Sequence, residues 1–294
     1  MPSPRLVVTG ASGFVGRRLV ALADAPHAVL PLSRGDWAQG IETADFTGAV
    51  VMHLAARAHR GGSAAQFHRD NVDKTRALAE AAAQGGARRL VFLSSIKVNG
   101  EATTSRAFTA HDVPAPEDDY GCSKRDAEAA LAQVAAATGL ETVTVRCPLV
   151  YGAPAKGHLA TLLRVCDSGL PLPFASVRNR RSFIALDDLC RMLLLCARAE
   201  SAAGKTYLVA HRDAASTPQL VRAVRRALGR PARLFAMPPR LLELTAAAAG
   251  MGATMKRLTR SLEADASLAE RELGWRAQTG LEEAIAQMAG NYRA

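Results

Sequence analysis

The sequence predicts an α/β chain on a doubly wound parallel sheet, with a smaller domain drawn from its second half. Two observations predict it. Strand-like apolar runs fall at 5–9, 28–33, 50–55, 90–95, 142–146 and about 205–210, with helical segments near 14–24, 66–84 and 120–138 between them. Alternation at this rhythm belongs to parallel strands joined by crossover helices. The second observation is local. The first run, Leu6-Val7-Val8, leads straight into Thr9-Gly10-Ala11-Ser12-Gly13-Phe14-Val15-Gly16 at the mouth of an amphipathic segment.

In the first element, glycines at 10, 13 and 16 permit a sharp turn and close approach of backbone to a pyrophosphate. The helix that follows offers free N–H groups and the positive end of its dipole. A glycine-rich turn with no ligand is the plainer alternative. Placement at the head of an α/β pattern favours a dinucleotide, with Ser12, Phe14 and Val15 beside the glycines in the binding loop.

The second strand ends Leu32-Ser33-Arg34. A fold selecting NAD usually has Asp or Glu there, accepting from the ribose 2′-hydroxyl. A hydroxyl and a guanidinium suit a 2′-phosphate instead. NADP is therefore expected over NAD; in the alternative, Arg34 is solvated and Asp36 turns to the ribose.

The run Leu90-Val91-Phe92-Leu93-Ser94-Ser95 reads as a buried strand ending in hydroxyls, where a substrate carbonyl oxygen is held. Opposite it, Tyr120 and Lys124 stand four apart in a segment that carries Ala127, Ala130, Leu131 and Val134 on one stripe and stops before Gly139. That spacing puts both on one helix face. A free phenol, with pKa near 10, is a poor proton shuttle at neutral pH, and a fixed ammonium beside it favours phenolate. A Tyr and a Lys also share a helix face by chance; the hydroxyl-ended strand tips the balance.

With these residues in place, the chain resembles the extended short-chain dehydrogenase/reductases, the nucleotide-sugar epimerases, dehydratases and reductases. The resemblance rests on the glycine turn, His53-Leu54-Ala55-Ala56, Asn71, Ser94-Ser95, Tyr120-x-x-x-Lys124 and Arg146-Cys147-Pro148-Leu149-Val150-Tyr151-Gly152. It implies Ser95, Tyr120 and Lys124 as the catalytic trio and Asn71 as their support. Leu54, Ala55, Ala56 and Pro148 would then lie beside the cofactor, and Ser94 beside the substrate. Sugar 4,6-dehydratases of the family follow the catalytic hydroxyl with Asp-Glu; here Ile96-Lys97 stands instead, which argues against elimination. Lys97 is expected near the far edge of the sugar or near a carboxylate behind it, with a solvated strand-end lysine as the bland alternative.

The resemblance also implies a division: residues 1–150 and 183–211 bind the dinucleotide, and 151–182 and 212–294 bind the substrate. In Arg178-Asn179-Arg180-Arg181-Ser182-Phe183-Ile184, Arg181 falls where the family contacts the nucleotide diphosphate. Arg257 is a second contact by position. His158, in Gly157-His158-Leu159, stands where the family commonly has Asn. Asp188 is expected to open the next helix. The strings Ser94–Glu101, Asn179–Ile184 and Leu273-Gly274-Trp275 are similar to the branch of UDP-N-acetylquinovosamine-type 4-reductases for bacterial surface polysaccharides, whose members are also called UDP-glucose 4-epimerases. The expected activity is NADP-dependent reduction of a 4-keto, UDP-linked, N-acetylated sugar. The rivals are a UDP-hexose 4-epimerase and, more remotely, a non-catalytic dinucleotide sensor.

Bulk properties narrow the class. With 294 residues, 49% of them apolar, the chain can bury a large core. The longest apolar stretch, Leu241 to Met255, is broken by Glu243 and glycines and reads as one packed helix, so no membrane insertion is expected. The N-terminus enters a strand directly, so no signal peptide is expected. Five cysteines without metal spacing suggest reduced core residues of a cytoplasmic protein and no metal site. The net charge of +10 comes mostly from scattered arginines; it suits an anionic nucleotide sugar and NADP better than nucleic acid. By resemblance, the helices at 66–84 and 120–138 are also the expected homodimer face.

Overall fold

The computed structural model describes residues 5–23, 29–33, 41, 44–58, 61–155 and 157–293. Within them the strands are β1 (Leu6–Thr9), β2 (Val29–Leu32), β3 (Val50–His53), β4 (Arg89–Ser95), β5 (Glu141–Cys147), β6 (Leu149–Tyr151), β7 (Phe183–Ala185) and β8 (Thr206–Leu208). Six of them form one sheet in the order β2-β1-β3-β4-β5-β8, every pair parallel. The expected doubly wound sheet is therefore present. Its switch point lies at β1, which has β2 on one side and β3 on the other. In doubly wound sheets the ligand crevice lies at such a point, beyond the carboxyl ends of the strands.

The helices are α1 (Phe14–Leu22), a helical run α2 over 64–84, α3 (Asp119–Thr138), α4 (His158–Asp167), α5 (Leu186–Arg198), α6 (Thr217–Ala227), α7 (Pro239–Ala248), α8 (Gly252–Thr259), α9 (Ser267–Leu273) and α10 (Leu281–Arg293). Strand residues alternate between the two faces of the sheet, so neighbours feed different cores. Val8, Met52, Val91 and Val145 meet Leu189, Met192, Leu193 and Cys196 of α5 on one side. Val7, Val51, Leu90 and Phe92 meet Leu78, Ala79 and Ala82 of α2 and Ala127, Leu131 and Val134 of α3 on the other. A third core gathers Tyr151, Leu163, Phe174, Phe183, Val221, Val224, Ile285 and Met288 around the short β6–β7 ladder.

One expectation is corrected and another refined. The stretch 241–255 is not one packed helix. It divides into α7 and α8 at Gly250 (φ 72°), with Leu242 and Ala246 buried while Leu244 is 69% and Met251 57% exposed. Asp188 stands in the first turn of α5 but does not cap it, the N-cap being Ala185. Its buried carboxylate instead accepts from the backbone N–H groups of Gln278 (3.1 Å) and Thr279 (2.8 Å), tying α5 to the segment before α10. Among the described residues, no helix is long and apolar enough to cross a membrane, and all five cysteines are free thiols.

Candidate active site

The glycine turn is built as a cradle. Gly10 has φ 70°, and a Cβ placed on it would stand 2.8 Å from Ala55 N, so β1 and the segment after β3 meet backbone to backbone. Gly13 N donates to Gly10 O at 2.8 Å, and a Cβ on Gly13 or Gly16 would strike that same carbonyl. Gly13 caps α1 without a side-chain bond, leaving first-turn N–H groups open. This backbone fits a pyrophosphate. Phe14, Val15 and Leu54 pack against the core beneath, and Ser12 is exposed at the rim. Ser33 follows β2; Arg34, and Asp36 with it, lie outside the described residues.

Across the crevice, β4 delivers Ser95 and α3 delivers Tyr120 and Lys124. Asp118 caps α3, its Oδ1 accepting from Gly121 N at 2.7 Å, and Gly139 ends the helix in the left-handed region. The Ser95 hydroxyl lies close enough to the Tyr120 phenol to act on its ionisation. Burial pushes the Tyr120 pKa up; Cys147 and Asp118 push the same way, and the Ser95 hydroxyl opposes them. Lys124 is 1% exposed, with Nζ 3.8 Å from the centre of the Phe92 ring. Burial brings its pKa down to about 7, against the opposing charge of Glu128.

Behind the trio runs a buried polar chain that links the glycine turn to the catalytic helix. Thr75 Oγ1 donates to Asn71 O (2.6 Å), so its contact with His53 Nε2 (2.8 Å) has the ring as donor. His53 Nδ1 is then an acceptor, and Thr9 Oγ1 donates to it at 2.7 Å while accepting from Ala55 N at 3.3 Å. Asn71 sits in the π-helical turn His68–Asp73 of α2, a departure from α geometry that recurs at functional sites. Its amide accepts from Arg57 N (2.7 Å) and donates to Arg57 O and to Ser123 Oγ (2.9 Å). Ser123 in turn donates to Tyr120 O. Asn71 therefore braces both the segment after β3 and the helix carrying Tyr120.

Ser94 is turned elsewhere than expected, whereas Lys97 meets one of its two expected surroundings. Ser94 is 2% exposed and donates to Glu128; strand alternation sends it to the face opposite Ser95. Glu128 also takes Arg146 through Nε and Nη2 (2.6 Å), and Arg146 Nη1 reaches Asn99 at 3.1 Å. Lys97 Nζ is ion-paired with Asp118 and with Glu101 (2.6 Å), which matches the expected carboxylate partner and not a free substrate contact. Pro148 is buried between β5 and β6.

On the substrate side, Arg181 lies within electrostatic reach of Tyr151, Glu101 and Arg257, and Asp118 within reach of Arg257. Arg181 Nη1 donates to Arg260 O at 3.1 Å, and burial lowers its pKa. The two expected diphosphate contacts are therefore neighbours. His158 opens α4, but its side chain lies outside what is described. Sequence reasoning missed Asp118, Glu128 and Thr9. For Glu128 a signal existed, since it continues the i, i+4 series of Tyr120 and Lys124.

Residues 6–210 match the model of the NAD dependent epimerase/dehydratase family. The chain belongs to that family. It is 33% identical to a UDP-glucose 4-epimerase of Vibrio cholerae, over 97% of this chain and 94% of the relative. It is 28% identical to a UDP-2-acetamido-2,6-beta-L-arabino-hexul-4-ose reductase of Pseudomonas aeruginosa, over 65% of this chain and 48% of that one. Among solved structures it is similar to MoeE5 in complex with UDP-glucuronic acid and NAD, at 25% identity and TM-score 0.77 over 98% of both chains. The UDP-glucose 4-epimerase of Thermotoga maritima, at 20% identity, TM-score 0.75 and 98% coverage of both chains, shares the fold.

Proposed function

We propose that this chain reduces a 4-keto nucleotide sugar, UDP-linked and N-acetylated, at C4 with NADP, for bacterial surface polysaccharide synthesis. The observation that carries the reading is the convergence of Ser95, Tyr120 and Lys124 across the crevice from a glycine turn shaped for a pyrophosphate. The nicotinamide, when bound, supplies the hydride. Tyr120 gives its phenolic proton to the oxygen on C4, and Ser95 holds that oxygen by a hydrogen bond. Lys124, when protonated, favours the phenolate of Tyr120 and would bond the nicotinamide ribose once the cofactor is in place. Arg181 and Arg257 anchor the diphosphate, and binding energy from that remote group orients the sugar.

The Ile96-Lys97 pair supports reduction over dehydration. Its one ionisable group is committed to Asp118 and Glu101, so no acid–base pair stands there for elimination. Ser33-Arg34 directly after β2, where NAD-selecting folds usually carry a carboxylate, supports NADP. The outer faces of α2 and α3 are the homodimer surface in this reading, and the protein works in the cytoplasm.

The Vibrio cholerae relative favours a second reading, a UDP-hexose 4-epimerase that uses the same trio in both directions on a retained cofactor. One experiment separates the two. Desalted protein is mixed anaerobically with NADPH and a 4-keto UDP-N-acetyl sugar. Stoichiometric NADPH loss with a new reduced sugar by NMR is the expected result. No loss, together with interconversion of UDP-hexoses without added cofactor, replaces the reductase with the epimerase.

A further inference from the structure

We infer that Lys97 is a positioning residue that sets the spacing between Ser95 and Tyr120, by clamping the turn after β4 to the cap of α3. The inference rests on the proton-transfer role proposed for that pair. Ser95 is the N-cap of a short 3-10 turn, Ile96–Val98, its Oγ accepting from Lys97 N at 3.3 Å. Asp118 is the N-cap of α3: one carboxylate oxygen takes Gly121 N at 2.7 Å, and the other takes Lys97 Nζ. A single carboxylate therefore fixes the first turn of the catalytic helix and holds the residue two positions after Ser95.

A second observation is independent of charge. A Cβ on Gly121 would stand 2.9 Å from Lys97 O. The turn and the helix thus meet backbone to backbone beside Tyr120, and the ion pair closes over that contact. The Lys97, Glu101 and Asp118 side chains are 19, 21 and 34% exposed, which shields the pairs from the full screening of bulk water. The same carboxylates face the proposed diphosphate anchors, Glu101 toward Arg181 and Asp118 toward Arg257. Lys97 thereby also neutralises the acid charge between the anchors and the phenol.

The clamp predicts opposite electrostatic signatures for its two halves. The groups acting on Tyr120 are Asp118 ahead of its helix, Cys147 from β5, the Ser95 hydroxyl from β4 and the Phe67 ring from α2, with Lys124 one turn further along its helix. Lys97→Met removes the nearest counter-charge of Asp118 and moves the Tyr120 limb of the kcat–pH profile upward. Asp118→Asn removes the carboxylate charge itself and moves the limb downward. In Lys97→Met, kcat falls between about tenfold and about a hundredfold, as for a misplacement of up to ~1 Å, with KM changing less; Lys97→Arg restores it. A kcat for Lys97→Met within about twofold of the parent, or limbs that move together, would overturn the clamp.

Amide hydrogen exchange over residues 119–123 gives a readout that needs no substrate. Exchange is expected to quicken in Lys97→Met and to recover in Lys97→Arg; unchanged exchange overturns the inference. Quickened exchange in a protein that turns over no nucleotide sugar supports the clamp and refutes the proposed reaction instead.

Discussion

His53 makes the fold sensitive to acid by an amount that can be worked out. It is 2% exposed, lies 5.4 Å from Phe92 in a stacked pair and uses both ring nitrogens. Burial, with Lys124 adding to it, holds its pKa down to about 3, against 6.5 ordinarily. Between those values the unfolded chain binds a proton that the folded one does not, so stability falls as the solution is acidified through this window. The slope is about 1.4 kcal/mol per pH unit, or roughly 3 kcal/mol between about pH 7 and pH 4 from this one group. His53→Gln keeps a donor and an acceptor and removes the titration. At neutral pH the variant is expected to be less stable by about 1–2 kcal/mol, through poorer hydrogen bonds. Urea unfolding of both proteins across that range should show the two stability curves converging and then crossing as pH falls. Parallel curves would refute the neutral, doubly bonded imidazole and the tautomer assigned to it.

Three further outcomes follow from the site. Tyr120→Phe should lower kcat by about 10²–10⁴-fold and leave cofactor affinity intact by fluorescence titration; turnover at the parent rate would remove Tyr120 from the chemistry. Gly10→Ala puts a side chain at φ 70°, 2.8 Å from Ala55 N, so a loss of about 2–4 kcal/mol in thermal unfolding is expected, with weakened cofactor binding. Cofactor affinity equal to the parent's would detach the turn from the pyrophosphate. Glu128→Gln leaves Arg146, 5% exposed, without its counter-charge, a cost of about 3–5 kcal/mol in denaturant unfolding. The same change withdraws the charge that supports Lys124, so its amine should titrate below about 7 by NMR; an unmoved titration would contradict the coupling.

What was legible in the sequence is what is encoded locally. The glycine turn announces itself because three glycines stand within seven residues behind an apolar run, and Tyr120 with Lys124 because the i, i+4 interval is short. The sheet was readable within a residue or two of each strand end, since apolar runs alternate with helical periodicity. The supporting shell was not. His53 depends on Thr9 and Thr75, and Arg146 on Asn99 and Glu128, partners that only the crossovers bring together. The π turn at Asn71 is a slip of backbone register that leaves no compositional trace. Strand alternation already implied that Ser94 and Ser95 point to opposite faces. Gly250 and Gly252 marked the break between α7 and α8, which the apolar character of 241–255 obscured.

The central claim is that Tyr120 and Ser95 manage the proton on a sugar C4 oxygen while hydride is exchanged at that carbon. Deuterium tracing tests it most directly. NADPH carrying deuterium at the transferable position is incubated with the 4-keto UDP-N-acetyl sugar and either the parent protein or Tyr120→Phe. The account predicts deuterium at C4 of the product with the parent protein and almost none with the variant. Label at another carbon, or equal transfer by the variant, would contradict it.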